Sequence, residues 1–406
     1  MDVDIRSIGP EQFEDYRVAV HAGFGGDARP EELEHDRAIT ELDRTLAAFD
    51  GSQVVGTAGA FSYELTVPGG LLPAAGVTAV SVLPTHRRRG ILRRMMRHQL
   101  DDVRERGEPL AILWASESVI YGRFGYGMAA QGMRFVIERN YTRLAHELDS
   151  PGRVRLISRE EALKAWPPVW DRVRAERPGM VNRSAEWWEH ETLHDPEHHR
   201  DGYTSNRHAV YEEEGEALGY ARYRIKHAWE DGFSTSELLV GELMATDLAS
   251  YAGLWRYLFG VDLILKVEAR RRPLDEPLLW MLADPRRMKR HHSDSMWVRV
   301  VDVPAALSGR HYSRPGRLVL EVRDSFCPWN EGRYLLEGGP EGAQCRPTQD
   351  GPDLTLGAAD LGAVYLGGAS LLTLQQAGRV QGERRALRTA DQMFAWDVEP
   401  WSPEAF

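Results

Sequence analysis

The residues whose types and spacing could do chemistry cluster in one run, Val80-Ser81-Val82-Leu83-Pro84-Thr85-His86-Arg87-Arg88-Arg89-Gly90-Ile91-Leu92. An apolar strand ends in an arginine-rich turn, and a glycine opens the next element. The apolar positions Ile91, Leu92, Met95, Met96, Leu100 and Val103 recur with helical period, which predicts a helix of about 17 residues. Gly107 supplies its stop. A helix N-terminus presents N–H groups without intrahelical partners and the positive end of the helix dipole, and together these make a phosphate site. Arginine adds charge-assisted bonds, and Gly90 lets a ligand come close to the backbone. The strand end before the turn can offer its own backbone groups to an amide-bearing arm of the same ligand. Coenzyme A combines a pyrophosphate with such an arm. Two other readings stay open here. The turn could be a solvated basic loop, or Arg87 to Arg89, Arg93, Arg94 and Arg97 could form a phosphate patch for nucleic acid.

A second pattern with chemical content is His190-Glu191-Thr192-Leu193-His194, a literal H-E-x-x-H. On a helix it could hold zinc with Glu191 as base, the rival enzyme reading of a metalloprotease. Asp195-Pro196 ends any helix directly after it, and Glu189, Glu197, His198 and Arg200 flank it like a solvated loop. A helix end followed by a surface loop is the preferred reading, with no metal.

These runs need elements to position them. A strand over Val3 to Ile8 and a helix with Pro10 in its first turn open the chain. A glycine-rich loop, Gly23 to Pro30, contains Asp27 and leads to an acidic helix, Glu31 to Asp36. Thr45 to Asp50 and Gln53 to Phe61 pair around an Asp50-Gly51 turn, Ser62 to Thr66 extends the sheet, and Val77 to Leu83 and Pro109 to Ala115 are buried strands. Strand, basic loop, helix, strand is the order of a parallel crossover. Beyond Val154 the mixed α/β order repeats without the basic loop: Ser158 caps a helix, 219–225 and 237–243 are strands, and a helix through Leu254 to Phe259 precedes a strand at Val261 to Val267. A third unit begins near Ser295 with a strand running into a helix, then strands at RLVLEVRD, GRYLLEG and 353–357. We expect domains over 1–150, 151–292 and 293–406.

Composition narrows the function classes. The 406 residues are 42% hydrophobic and 27% charged, a soluble globular balance. A net charge of -11 and a pI near 5.7 disfavour nucleic acid and anionic membranes as partners of the whole chain and suit a cationic substrate such as an amine. Cys327 and Cys345 have no metal or disulfide spacing and read as reduced thiols. The acidic start is no signal peptide, and no apolar run reaches the length of a membrane helix, so the expected compartment is the cytoplasm.

The run at 80–92 resembles the GNAT acetyltransferase superfamily, whose V-x-V strand precedes R/Q-x-x-G-x-G/A. Val80, Val82, Arg87 and Gly90 match, and Leu92 departs from the final Gly/Ala. The resemblance extends to Ser116-Glu117-Ser118-Val119-Ile120-Tyr121-Gly122-Arg123-Phe124-Gly125-Tyr126-Gly127, because a GNAT tyrosine five residues before an aromatic in this position protonates the leaving thiolate. Tyr121 has that spacing from Tyr126, which is its competitor for the role. A phenol, pKa about 10, donates to a thiolate, pKa about 8.5, only when positioned and desolvated.

TAVSVLPTHRRRGILRRMM together with SESVIYGRFGYG is more closely similar to the enhanced intracellular survival (Eis) family of actinobacterial acetyltransferases. That likeness implies an α/β (mixed α+β) fold: two GNAT-like mixed-sheet domains, the second degenerate, and a sterol-carrier-like α+β domain. It implies acetyl-CoA as co-substrate. It implies a homohexamer that acetylates amines of aminoglycoside, polyamine or lysine type. Val80, Ser81, Val82, Arg88, Arg89, Gly90, Ile91, Leu92, Arg93, Ser116 and Glu117, with Arg87, would contact coenzyme A; Tyr121 would be the acid and the carboxylate of the last residue, Phe406, the base. Glu404 would hold a cationic amine or stay a solvated tail group, and Asp27 would join the substrate pocket. The apolar third domain could bind a lipid, giving the alternative of a non-catalytic acyl-CoA- or lipid-binding regulatory protein; delivery of Phe406 and subunit contacts are the preferred role.

Overall fold

A computed structural model describes residues 3–406. The chain forms two compact units: residues 3–130 with 295–400 and 404–406, and residues 131–294 with 401–403.

The first unit is built on a seven-stranded sheet. Its N-terminal part contributes β1 (Asp4–Arg6), β2 (Leu46–Asp50), β3 (Gln53–Val67), β4 (Gly70–Val82), β5 (Leu110–Trp114) and β6 (Gly127–Met128). All neighbours pair antiparallel except β4 and β5, which run parallel. A parallel pair needs a crossover, here α3 (Ile91–Glu105). The strand Met296–Val300 lies between β5 and β6.

Alternation along β2 shows how both faces of this sheet are covered. Ala47 and Phe49 pack with Phe13, Tyr16, Ala19 and Val20 of α1 (Phe13–Gly23), while Ala48 packs with Ile91 and Met95 of α3. Burying each of the large side chains, Phe13, Val20, Phe49, Ile91 and Met95, contributes roughly 1.5–3 kcal/mol. The expected long helix is 15 residues. The acidic helix starts later than expected, as α2 (Leu33–Ile39), because Pro30 opens a 3-10 turn before it.

The same unit holds the third domain. Its five-stranded sheet places Gly316–Arg323 between Gly332–Gly339 and Leu354–Gly357. Arg299, on the inserted strand, is fully buried and forms an ion pair with Asp324, which also accepts from the Cys327 backbone N–H at 2.8 Å. Cys327 and Cys345 are buried free thiols.

The second unit has its own seven-stranded sheet, with Gln131–Glu138 between Lys289–Asp294 and Ile264–Arg272. Linear boundaries at 150 and 292 put Gln131–Glu138 with the first domain and Met296–Val300 with the third. The pairing assigns each strand to a different sheet, and alternation within a strand carries no signal for which sheet receives it.

Candidate active site

The cleft begins where β4 and β5 part. Ala74, Ala75 and Gly76 pair with Leu110, Ala111 and Ile112, and the pairing stops there although both strands continue. A bulge bends β4 beyond that point. The register with β3 shifts between Thr57 and Gly59, and Ala79 takes φ 52°, a costly conformation for a residue with a Cβ. Thr57 holds the bulge, its hydroxyl bonding the Ala79 carbonyl at 2.7 Å and the Ser81 hydroxyl at 2.8 Å.

Past the bulge, the Leu83 N–H donates to the Val55 carbonyl of β3 at 2.9 Å. Backbone groups alternate along a strand, so those of Val82 face the other way, into the cleft. The Val82 carbonyl accepts from Arg87 Nε at 3.1 Å. Arg87 also donates to the Gly23 carbonyl at 3.0 Å, tying the end of β4 to the end of α1. The loop then turns through Arg88 (φ 63°) and Gly90 (φ 81°) into α3, whose N-cap glycine leaves the first turn without a side-chain cap. Those N–H groups and the helix dipole suit a phosphate.

The resulting cleft, about 880 Å³, brings together Val80, Ser81, Val82, Arg87, Arg88, Gly90, Ile91, Leu92, Arg93, Ser116, Glu117 and Tyr121. Arg89 is exposed and outside its lining, and so is Asp27. Residues not anticipated as contacts also line it: Gly23 and Phe24 from the end of α1, and Arg123 and Phe124 beside Tyr121. Tyr121 ends α4 (Ser118–Tyr121). Burial pushes its phenol up, a hydrogen bond with Ser116 opposes this, and Glu117 adds to the rise. Tyr126 lies edge-on to it at 6.0 Å, fully buried and outside the lining.

Phe406 and Glu404 do not line this cleft. Phe406 sits at its vertex. The ring lies 5.1 Å from Tyr63 and 6.4 Å from Phe61, both on β3. A Cβ on Gly76, the last β4 residue paired with β5, would come within 2.4 Å of the Tyr63 ring and 3.3 Å of the Phe406 ring. Only glycine leaves room for that stack. Glu404 is buried, at 6% exposure.

The second unit shows why its related order of elements lacks a comparable site. Ser236–Ala245 pairs parallel with Ile264–Arg272 only as far as Val240. Beyond that point Arg272 donates to the Leu243 carbonyl at 2.8 Å, and Glu242 is held by Arg183 at 2.6 Å. Burial opposes ionisation of Glu242, but Arg183 overrides it and brings the carboxyl down to about 2. The helix that follows, Leu248–Gly260, is capped by Asp247, whose carboxylate accepts from the Ser250 N–H. An acidic cap fills and repels where α3 would receive phosphate. The H-E-x-x-H run lies here, at a π-turn over Trp188–Thr192. Among the described residues, His190, Glu191 and His194 do not bring ligand atoms within 4.8 Å of one another. The π-turn breaks the i, i+4 spacing a zinc pair needs.

Comparison with known proteins agrees with this geometry. Residues 4–129 and 179–300 each match the acetyltransferase (GNAT) domain family, and 303–403 match the sterol carrier protein domain family. The N-acetyltransferase Eis of Mycobacterium tuberculosis is 33% identical over 393 residues, 93% of each chain. The chain belongs to the Eis family of GNAT N-acetyltransferases. An uncharacterized N-acetyltransferase of Streptomyces avermitilis is 44% identical over 100% of both chains. The crystal structure of Eis1 from Mycobacterium abscessus superimposes with a TM-score of 0.86 at 32% identity, covering 99% of this chain and 100% of that one. This Eis-family protein is therefore an acetyltransferase of mixed α/β fold, with two GNAT domains followed by a sterol-carrier domain. No helix among the described residues is long and apolar enough to cross a membrane.

Proposed function

We propose that this protein moves the acetyl group of acetyl-CoA to a primary amine of aminoglycoside, polyamine or lysine type, by direct transfer with both substrates bound. The observation that carries this reading is the V-shaped opening between β4 and β5, with an uncapped helix N-terminus at its mouth, Tyr121 on its wall and the chain terminus at its vertex. Acetyl-CoA supplies a thioester already activated for attack. The α3 N-terminus with Arg88 and Arg93 holds the pyrophosphate, and Val80 and Val82 hold the amide-bearing arm. The Val82 N–H polarises the thioester carbonyl. Tyr121 gives its phenolic proton to the departing sulfur.

The Phe406 carboxylate takes the proton from the attacking amine. A free α-carboxylate, pKa about 3.3–3.7, is a weak base for an ammonium of pKa about 10. Relay of the proton through a water, or burial of the amine, which lowers its pKa and favours its neutral form before attack, closes that gap. Glu404 adds a carboxylate beside the base for a cationic acceptor, and Asp27 stands on the loop after α1. The same reading carries a homohexamer in the cytoplasm. Its support is family membership and the exposed Trp229, Phe233 and Leu263 of the second unit, which would favour association.

The test is coenzyme A release from acetyl-CoA with a panel of polyamines, aminoglycosides and lysine peptides, repeated with a chelator. Amine-dependent release indifferent to chelator is expected. Tight acetyl-CoA binding without release for any amine would contradict the acceptor class.

A further inference from the structure

A second cavity, about 730 Å³, runs along the solvent face of α3, where Arg93, Arg94, Arg97 and His98 line it together with Phe326 of the sterol-carrier domain. It adjoins the transfer cleft at two places. Arg93 lines both, and Phe124 of the cleft packs on Phe326 of the groove at 5.0 Å between ring centres. We propose that this groove receives the 3′-phosphate end of the coenzyme A thioester, with Arg94 and Arg97 taking the phosphate and Phe326 fixing Arg97. The proposal rests on the reading that the adjoining cleft takes acetyl-CoA.

Placement supports it. With the pyrophosphate at Gly90, a helix rise of 1.5 Å per residue puts Arg94 about 6 Å and Arg97 about 10 Å further along α3, where the nucleoside beyond a pyrophosphate reaches. The arginines are held in place rather than waving in solvent. The Arg97 guanidinium lies 4.4 Å from the centre of the Phe326 ring and 5.4 Å from that of Trp329. Arg93 lies 5.4 Å over Phe326, and Arg94 donates to the Val3 carbonyl at 3.0 Å. Guanidinium groups fixed on aromatic faces are prearranged for a phosphate. Two carboxylates also line the groove. Asp4 is paired with Arg6 at 3.3 Å, and Asp101 stands 4.0 Å from Arg97. Three guanidinium groups outweigh them. Phe326 itself is 4% exposed, so it anchors an arginine and offers no open face to a base. The sterol-carrier domain thereby shapes cofactor recognition through a residue far from the basic loop.

Isothermal titration of the full chain with acetyl-CoA and with acetyl-dephospho-CoA, which lacks only the 3′-phosphate, tests this. The wild type should bind the dephospho compound about tenfold more weakly. In the Arg94→Gln/Arg97→Gln double variant the difference should collapse to about threefold or less, and Arg97→Lys should keep part of it. Equal binding of both compounds by the wild type, or an undiminished difference in the double variant, would overturn the proposal while leaving the acetyl-CoA reading intact. Equal weakening of both compounds in the double variant would mark a purely structural role and overturn it too. Absence of binding by either compound to the wild type would remove the acetyl-CoA reading and this inference together.

Discussion

At the scale of single residues, Tyr121 is a buried phenol facing the cleft. Burial raises its pKa above the ordinary value of 10.0, so it keeps its proton through about pH 10. Tyr121→Phe should lower kcat about a hundredfold while acetyl-CoA affinity stays near wild type, read by steady-state kinetics and titration. The wild-type rate should also show no loss assignable to tyrosine ionisation below about pH 10; an alkaline limb near neutrality that vanishes in Tyr121→Phe would contradict this. The strand end, arginine-rich turn and helix start were readable from sequence because they are contiguous, so local spacing carries their geometry. What Arg87 bonds was not readable, because the Gly23 carbonyl is 64 positions away in sequence.

Elements set what those residues can reach. The bulge at Ala79 and the parting of β4 from β5 have no local motif, since Val77, Thr78, Ala79 and Val80 read as ordinary strand residues and the residue that takes up the bulge is not marked by its type. Phe61, Tyr63 and Gly76 likewise gave no signal as the seat of Phe406. Their meaning lies in a close approach between the chain end and a strand pair more than three hundred residues upstream. Gly76→Ala should push the Tyr63 and Phe406 rings apart, lowering kcat about tenfold or more with little change in the KM for acetyl-CoA; a selective rise in that KM would place the effect elsewhere. In the second unit, His208 is the second residue of the strand Arg207–Glu213 and lies edge-on to Trp166. Burial, with Arg222 adding to it, brings its pKa down from 6.5 to about 4. The unfolded chain then binds a proton that the folded chain refuses. Stability is fully present above pH 6.5 and is lost as pH falls toward 4. A melting-temperature series should show a shallower acid decline for His208→Gln than for wild type, and parallel curves would contradict the assignment.

Across the whole molecule, the sheets are not colinear with the chain. Met296–Val300 returns to the first sheet after the last strand of the second unit's sheet, and Arg299 on that strand ties the first sheet to the sterol-carrier domain through Asp324. Asp324→Ala would leave a fully buried guanidinium without its carboxylate, costing about 3–5 kcal/mol. The melting temperature should drop by about 6–20 °C, and a change of under about 2 °C would contradict the buried-pair account. Fold class and the existence of three domains could be inferred from the order of elements and the family likeness. The strand exchange could not, since it depends on pairing between distant segments.

The same long return brings the chain's last residue to the vertex of the cleft, and the role of its carboxylate is the central claim. The most direct measurement compares the full chain with a semisynthetic chain ending in Phe406 amide, which keeps the ring and removes only the charge. Single-turnover transfer from acetyl-CoA to an accepted amine should slow by about 10²–10⁴-fold in the amide, with acetyl-CoA binding unchanged. Equal rates for the two chains would show that another group takes the proton.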